Sequence, residues 1–214
     1  GFSSAASDVY KRQVNAVVVF ISDKLEKISR KDLIPLVHFG LTSEDINNTA
    51  YSLMTKGATK NIMVPAIKNV LKELKKLARR TKSLPMLSLT HGQPATTTTL
   101  GKELAVFISR IERELVLINE INLLAKFSGA TGSYAAHKAA FPKANWSVFA
   151  KKFIKRLGLG QSPITSQIEP GDSIAELLHF YVRINNIFSD FSLDMWLYIS
   201  CLLYTSDAAD ENPS

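Results

Sequence analysis

From Thr97 to Phe127, apolar residues recur at intervals of three and four: Leu100, Leu104, Phe107, Ile111, Leu115, Ile118 and Ile121. That spacing gathers them on one side of a 3.6-residue turn and predicts a single helix of about eight turns and about 45 Å. The stretch from Ser173 to Ser200 repeats the pattern with Ile174, Leu177, Leu178, Tyr181, Ile184, Phe188 and Phe191. Ser173 and Glu176 stand in capping-box spacing at its start. A third helical region runs from about Ser43 to Thr81. Thr42 and Asp45 open it in similar spacing, and Pro65 should kink or break it because proline removes a backbone donor. Val14 to Ile28 reads as the last part of another helix. Long helices with single apolar stripes must cover those stripes, so the expected fold class is all-α, a bundle of long helices.

The two ends of the chain do not share this patterning. Ser3-Ser4-Ala5-Ala6-Ser7-Asp8-Val9-Tyr10-Lys11-Arg12-Gln13 can be encoded by one strand of a short DNA tag. The reverse complement of the same tag, read one base in, encodes Cys201-Leu202-Leu203-Tyr204-Thr205-Ser206-Asp207-Ala208-Ala209-Asp210 and the start of Glu211. The tag resembles a transposon-based sequencing adapter. Residues 1–13 and 201–214 are therefore expected to be adapter-derived tails, and 14–200 a helical domain cut from a longer protein.

The chain carries 26 Lys and Arg against 19 Asp and Glu, a net charge of +7. Such a balance suits nucleic acid, an acidic surface or small anions. Lys68, Lys72, Lys75 and Lys76 lack the interleaved arginine and aromatic residues that stack bases, and read as a solvated helix face. Nucleic acid is not an expected partner. The single cysteine, Cys201, lies in the C-terminal tail, which leaves 14–200 without a disulfide, a thiolate nucleophile or a cysteine metal site. No apolar run reaches the roughly 18 residues that a membrane helix needs, and no secretory signal is visible. No membrane contact is expected, and a reducing cytoplasm is the expected compartment.

Polar residues of chemical interest collect between the helices, in 29–41, 83–96, 128–145 and 158–172. His91, followed by Gly92 and bracketed by Thr90 and Gln93, precedes a helix expected to begin within 94–97. There the positive helix end and neighbouring donors would suit proton transfer, although a loop histidine hydrogen-bonded for structure fits the same spacing. His38, between Val37 and Phe39, reads as partly buried. His137 and His179 have no convergent partners in sequence and read as structural or surface residues. Thr42 and Ser43 at a helix start could bind an anion through hydroxyls and backbone amides, or simply cap the helix. Gly129, Gly132, Gly158 and Gly160 read as turns or helix ends; Gly129-x-x-Gly132 lacks the Lys-Ser/Thr and the preceding strand of a nucleotide loop. No His-x-x-x-His pair occurs and the carboxylates are scattered, so neither a metal nor another cofactor is expected.

Three ordered segments carry a family resemblance. His38-Phe39-Gly40-Leu41-Thr42-Ser43-Glu44-Asp45-Ile46-Asn47-Asn48, then Thr90-His91-Gly92-Gln93-Pro94-Ala95-Thr96 with Gly101-Lys102-Glu103, then Gln167-Ile168-Glu169-Pro170 with Asp172, resemble adenylosuccinate lyase of the bacterial type, within the fumarase and aspartase superfamily. The resemblance spans essentially all of 14–200. It implies β-elimination of fumarate from adenylosuccinate and from the succinylated aminoimidazole carboxamide ribotide, in purine synthesis. His91 matches the general acid that protonates the departing nitrogen. Thr90 matches a contact to the succinyl carboxylate, Thr42, Ser43 and Gln167 match substrate-binding residues, and His38 falls in the same segment as the first two. The resemblance also implies a homotetramer with a central helical bundle and active sites shared between subunits.

The departures are as specific. The family's general base is a serine on a mobile loop with a Met-Pro-x-Lys-x-Asn pattern, which this sequence lacks. Arg12-Gln13 stand where a His-Asp pair is expected, and Ser133 stands where related chains often carry Asn. The chain by itself is therefore expected to be inactive. Two rivals remain at this level: a basic helical interaction module without catalysis, and a different lyase of the same superfamily.

Overall fold

Pro65 interrupts the third helical region as its chemistry requires. Helix α2 (Ser43–Ala58) ends in a single π turn, Thr59–Met63, and α3 follows as Val64–Arg80 with the proline in its first turn. The Val64 amide bonds the Thr59 carbonyl five residues back, which widens the coil where Pro65 would strike a regular turn. In this computed structural model the backbone of 2–200 and the side chains of 15–200 are described. The C-terminal tail 201–214, with Cys201, lies outside the described residues, as do the side chains of the N-terminal tail.

The chain divides into two compact units, 1–54 with 123–171 and 55–122 with 172 onward. In the second unit, α3 packs on α4 (Leu100–Leu117), which packs on α7 (Asp172–Ser200). The stripe read from sequence is buried at Leu100, Leu104, Phe107, Ile111 and Ile118. On α7 the buried line is Leu177, Phe180, Ile184 and Ile187, whereas Leu178, assigned to the stripe, is exposed. Leu100 and Leu104 form a core with Met86, against which Leu77, Ala78, Phe191, Met195 and Tyr198 pack. Gly101 lets α4 approach the end of α3: a Cβ there would lie 2.4 Å from the Ala78 carbonyl oxygen. Helix α7 begins at Asp172, so Ser173 sits inside its first turn and not at the cap.

Three expectations for this unit need correction. Residues 83–96 are not a loop: β1 (Pro85–Thr90) and β2 (Gln93–Thr99) form an antiparallel hairpin. The run of threonines at 96–99 favours extended backbone, because β-branching restricts the side chain in a helix. The helix therefore starts at Leu100 and not within 94–97, capped by the Thr99 hydroxyl accepting the Lys102 amide at 3.1 Å. Nor does it reach Phe127; it ends in a 3-10 turn at Ile118–Glu120.

Beyond that turn the chain is extended and belongs to the first unit. There β3 (Leu124–Ala125) pairs in parallel with β4 (Gly160–Gln161). Leu123 and Ala125 accept amides from Gly160 and Ser162, each at 2.9 Å. The other edge of the extended segment is served by side chains of α2. Ser52 Oγ donates to the Leu124 carbonyl at 2.7 Å, Asn48 Oδ1 accepts the Lys126 amide at 2.9 Å, and Asp45 Oδ1 accepts the Ser128 amide at 2.9 Å. One polar face of a helix thus substitutes for a neighbouring strand and satisfies backbone groups that would otherwise be buried unpaired. The unit also contains α1 (Phe2–Lys27), α5 (Ala135–Ala140) and α6 (Trp146–Arg156). Its aromatic core surrounds His137, which is fully buried and in ring contact with Phe39, Phe127, Tyr134 and Trp146.

Candidate functional site

Thr42 stands immediately before α2 with its groups divided between two tasks. Its backbone amide donates to Asp45 Oδ2 at 2.9 Å, and its carbonyl accepts the Asp45 amide at 3.1 Å. Half of the expected capping box is therefore made by the carboxylate, and the Thr42 hydroxyl is left to accept from Gln167 Nε2 at 3.3 Å. Ser43 opens the helix beside it, where backbone amides and the positive end of the helix favour an anion. Gln167 is itself exposed, on the segment between β4 and α7. His38, expected to be partly buried, is exposed in the turn that leads to Gly40 and Thr42, with its carbonyl accepting the Leu41 amide at 3.4 Å. The structure thus joins Thr42 to Gln167 directly and sets Ser43 and His38 on the same chain segment.

Beneath these residues lies an ion pair that the sequence reading did not find. Lys126 is fully buried, and its ammonium lies 3.1 Å from Asp45 Oδ1, 2.9 Å from the Gly129 carbonyl and 2.6 Å from the Gln167 carbonyl. Asp45, also buried, additionally receives the amides of Thr42, Ser128 and Gly129. The available signal was Lys126 itself, a lysine in an otherwise apolar run from Leu123 to Phe127. Lysine is almost never fully buried unless paired.

Thr90 and His91 belong to the second unit. They occupy the tip of the β1–β2 hairpin, where Thr90 pairs with Gln93 across His91 and Gly92. Both turn residues have positive φ, 53° at His91 and 72° at Gly92, the geometry of a tight two-residue turn whose twist matches that of the strands. His91 holds this left-handed conformation without glycine's freedom, and its side chain is exposed. The expected positive helix end beside His91 is replaced by a strand turn. At the base of the same hairpin Thr98 Oγ1 donates to Glu103 at 2.7 Å.

His137, read from sequence as structural or surface, is structural. Burial holds its pKa below the ordinary histidine value, only partly offset by the charge of Asp45, and neither ring nitrogen has a hydrogen-bond partner among the described residues. Tyr134 beside it is raised by burial, with the Gln161 hydrogen bond acting in the opposite direction. Gly129 and Gly132 make turns with φ of 77° and 74°. A Cβ on Gly132 would lie 1.9 Å from the Thr165 carbonyl oxygen, so its role is close backbone approach. Among the described residues no helix is long and apolar enough to cross a membrane, and no group of three His, Cys, Asp or Glu could hold a metal.

Residues 5–212 match the family described as lyase, and the chain belongs to that family. Within it, the chain is 44% identical over 190 residues to the adenylosuccinate lyase of Buchnera aphidicola from Acyrthosiphon pisum, covering 87% of this chain and 41% of the relative. It is 42% identical over 188 residues to the adenylosuccinate lyase of Escherichia coli K12, with the same coverage. The chain therefore spans about two fifths of the length of these relatives. Among solved structures it is similar to β-carboxy-cis,cis-muconate cycloisomerase from Acinetobacter calcoaceticus, with a TM-score of 0.74 and 26% identity over 93% of this chain and 46% of that one. It is also similar to a fumarate lyase from Mesorhizobium, with a TM-score of 0.66 and 25% identity over 83% of this chain and 44% of that one. The resemblance read from the three segments and the all-α fold class both hold.

Proposed function

We propose that the chain is the central part of an adenylosuccinate lyase, which cleaves adenylosuccinate to AMP and fumarate and acts likewise on the succinylated aminoimidazole carboxamide ribotide. The observation that carries this reading is the bond between Thr42 and Gln167, two residues 125 positions apart that the resemblance assigns to one substrate. Their hydroxyl and amide, with Ser43 at the start of α2, make a polar, anion-favouring surface suited to a carboxylate. The relatives' shared name supports the choice among lyases.

In the reaction a base removes a proton from the carbon beside a carboxylate, the electron pair forms the carbon–carbon double bond, and the carbon–nitrogen bond breaks. His91 acts as general acid and protonates the departing nitrogen, which would otherwise leave as a poor anion. Its exposed ring at the hairpin tip is accessible to a ligand. Thr90 contacts the succinyl carboxylate, and His38 lines the site from the turn before Thr42. The base is a serine of a loop pattern that this sequence does not contain, so the 214-residue chain alone releases no fumarate. Residues 1–13 and 201–214 are adapter-derived, and the complete protein is a cytoplasmic homotetramer with active sites shared between subunits. Exposed apolar residues such as Met54, Leu178, Val182 and Trp196 support such assembly.

The test uses the full-length gene product, recovered by reading the source DNA across Gln13 and Ser200. Fumarate and AMP are followed from adenylosuccinate in the wild-type protein and in His91→Ala. A rate lowered about 10²- to 10⁴-fold in the variant supports the assignment. Wild-type protein that forms no fumarate, or a variant that retains full activity, rejects it.

A further inference from the structure

We propose that Asp45 and Lys126 are positioning residues that set the substrate-binding contacts of Thr42 and Gln167; the inference rests on the function proposed above. Each member of the buried pair holds one of the two contact residues by its main chain. Asp45 Oδ2 takes the Thr42 amide at 2.9 Å, and Lys126 Nζ gives a hydrogen bond to the Gln167 carbonyl at 2.6 Å. The two charges meet at 3.1 Å, so the main chains of the two contact residues are linked through a single ion pair.

The chemistry of the pair is nearly saturated. An ammonium has three protons, and Asp45 Oδ1 and the Gly129 and Gln167 carbonyls provide three acceptors, with the Ser166 carbonyl at 3.5 Å on the margin. The carboxylate takes three backbone amides besides the lysine. Groups so fully engaged, with no exposure at either side chain, have one arrangement available and transmit it to every segment they hold. Those segments are 42–45, 126–129 and 166–167. The Thr42 hydroxyl and the Gln167 amide, 3.3 Å apart above the pair, are thereby held ready for a carboxylate before any ligand arrives. Neither charge faces the ligand, so the pair acts through Thr42 and Gln167 alone.

Steady-state kinetics on the full-length protein test this. Lys126→Met removes the bond to the Gln167 carbonyl while keeping an unbranched side chain; Asp45→Asn is nearly isosteric and serves if the first variant does not fold. Glu114→Gln is the control, because Glu114 is a buried, paired carboxylate of the second unit, held by Arg183. Positioning predicts that KM for adenylosuccinate rises about tenfold or more in the pair variants, with kcat within about threefold. The control shifts the melting temperature while leaving KM within about twofold. Pair variants whose KM moves no further than that of the control, at comparable loss of melting temperature, overturn the inference and leave the proposed function standing. A wild-type protein without lyase activity overturns both.

Discussion

The side-chain oxygen of Asn48 accepts the backbone amide of Lys126 at 2.9 Å, the middle rung of a ladder in which helix side chains serve one edge of an extended segment. Ser52 and Asp45 make the rungs on either side. A helix advances about 1.5 Å per residue and a strand about 3.3 Å. Steps of three and four residues along α2 therefore keep pace with steps of two along the segment 124–128.

Asn48→Ala is expected to lower stability by about 1–3 kcal/mol, because it leaves the buried Lys126 amide without an acceptor. Ser52→Ala should cost less, since the Leu124 carbonyl loses one donor at a half-buried position. Urea unfolding of the two variants measures both. Equal, negligible losses would mean that water takes over the rungs.

Stability should also fall as pH drops below about 6.5. In the folded protein the pKa of His137 is held below its ordinary value, chiefly by burial, so the unfolded chain takes up the proton first. The contribution is complete above the unfolded value of about 6.5 and is lost as pH falls toward the folded value. His137→Phe removes this component while keeping a ring against Phe39, Phe127 and Trp146. Melting temperatures between pH 7.5 and 5.5 should decline less in the variant. Parallel curves would show that His137 does not titrate on unfolding.

Much of this architecture was legible from apolar spacing. Leu100, Leu104, Phe107 and Ile111 on α4, and Leu177 and Ile184 on α7, are buried as their periodicity implies. Periodicity is blind to faces buried through hydrogen bonds, and so Asp45, Asn48, Thr49 and Ser52 on α2 gave no stripe although all four are buried. It also ran one helix through Ile118 and Ile121 to Phe127, where the backbone changes from helix to strand while most residues stay apolar. At the candidate site, Thr42 was singled out by its place at a helix start and by segment resemblance, Gln167 by resemblance alone, and the structure joins the two. Lys126 was missed because its partners are mostly backbone carbonyls, to which no sequence spacing points.

Two glycines separate steric need from backbone need. Gly101→Ala is expected to cost about 1–3 kcal/mol, since its Cβ would meet backbone of Ala78 and Lys82 at 2.4–2.7 Å and force α3 and α4 apart. Gly92→Ala adds a Cβ into open space at φ 72°, so only the left-handed backbone is penalised, by about 1 kcal/mol. Chemical denaturation ranks them, and a Gly92 variant as damaging as the Gly101 variant would contradict the close approach of α4 to the end of α3.

The buried carboxylate of Glu114 offers the last test. Arg183 Nε donates to it at 2.8 Å from α7, while Arg113 approaches to only 3.7 Å and is largely exposed. Removing the arginine leaves a buried charge with a weak partner, whereas neutralising the acid leaves an amide that can still accept from Arg183. Arg183→Met should therefore destabilise more than Glu114→Gln, by up to about 3 kcal/mol, discounted because the arginine is itself half-exposed. In Glu114→Leu with Arg183→Met no charge is left to desolvate, and the pair becomes an apolar contact between α4 and α7. The double variant should recover most of the loss seen in Arg183→Met alone. Losses that simply add in the double variant would mean that the two residues are not coupled through the ion pair, and that Glu114 is stabilised by other groups of the helix trio.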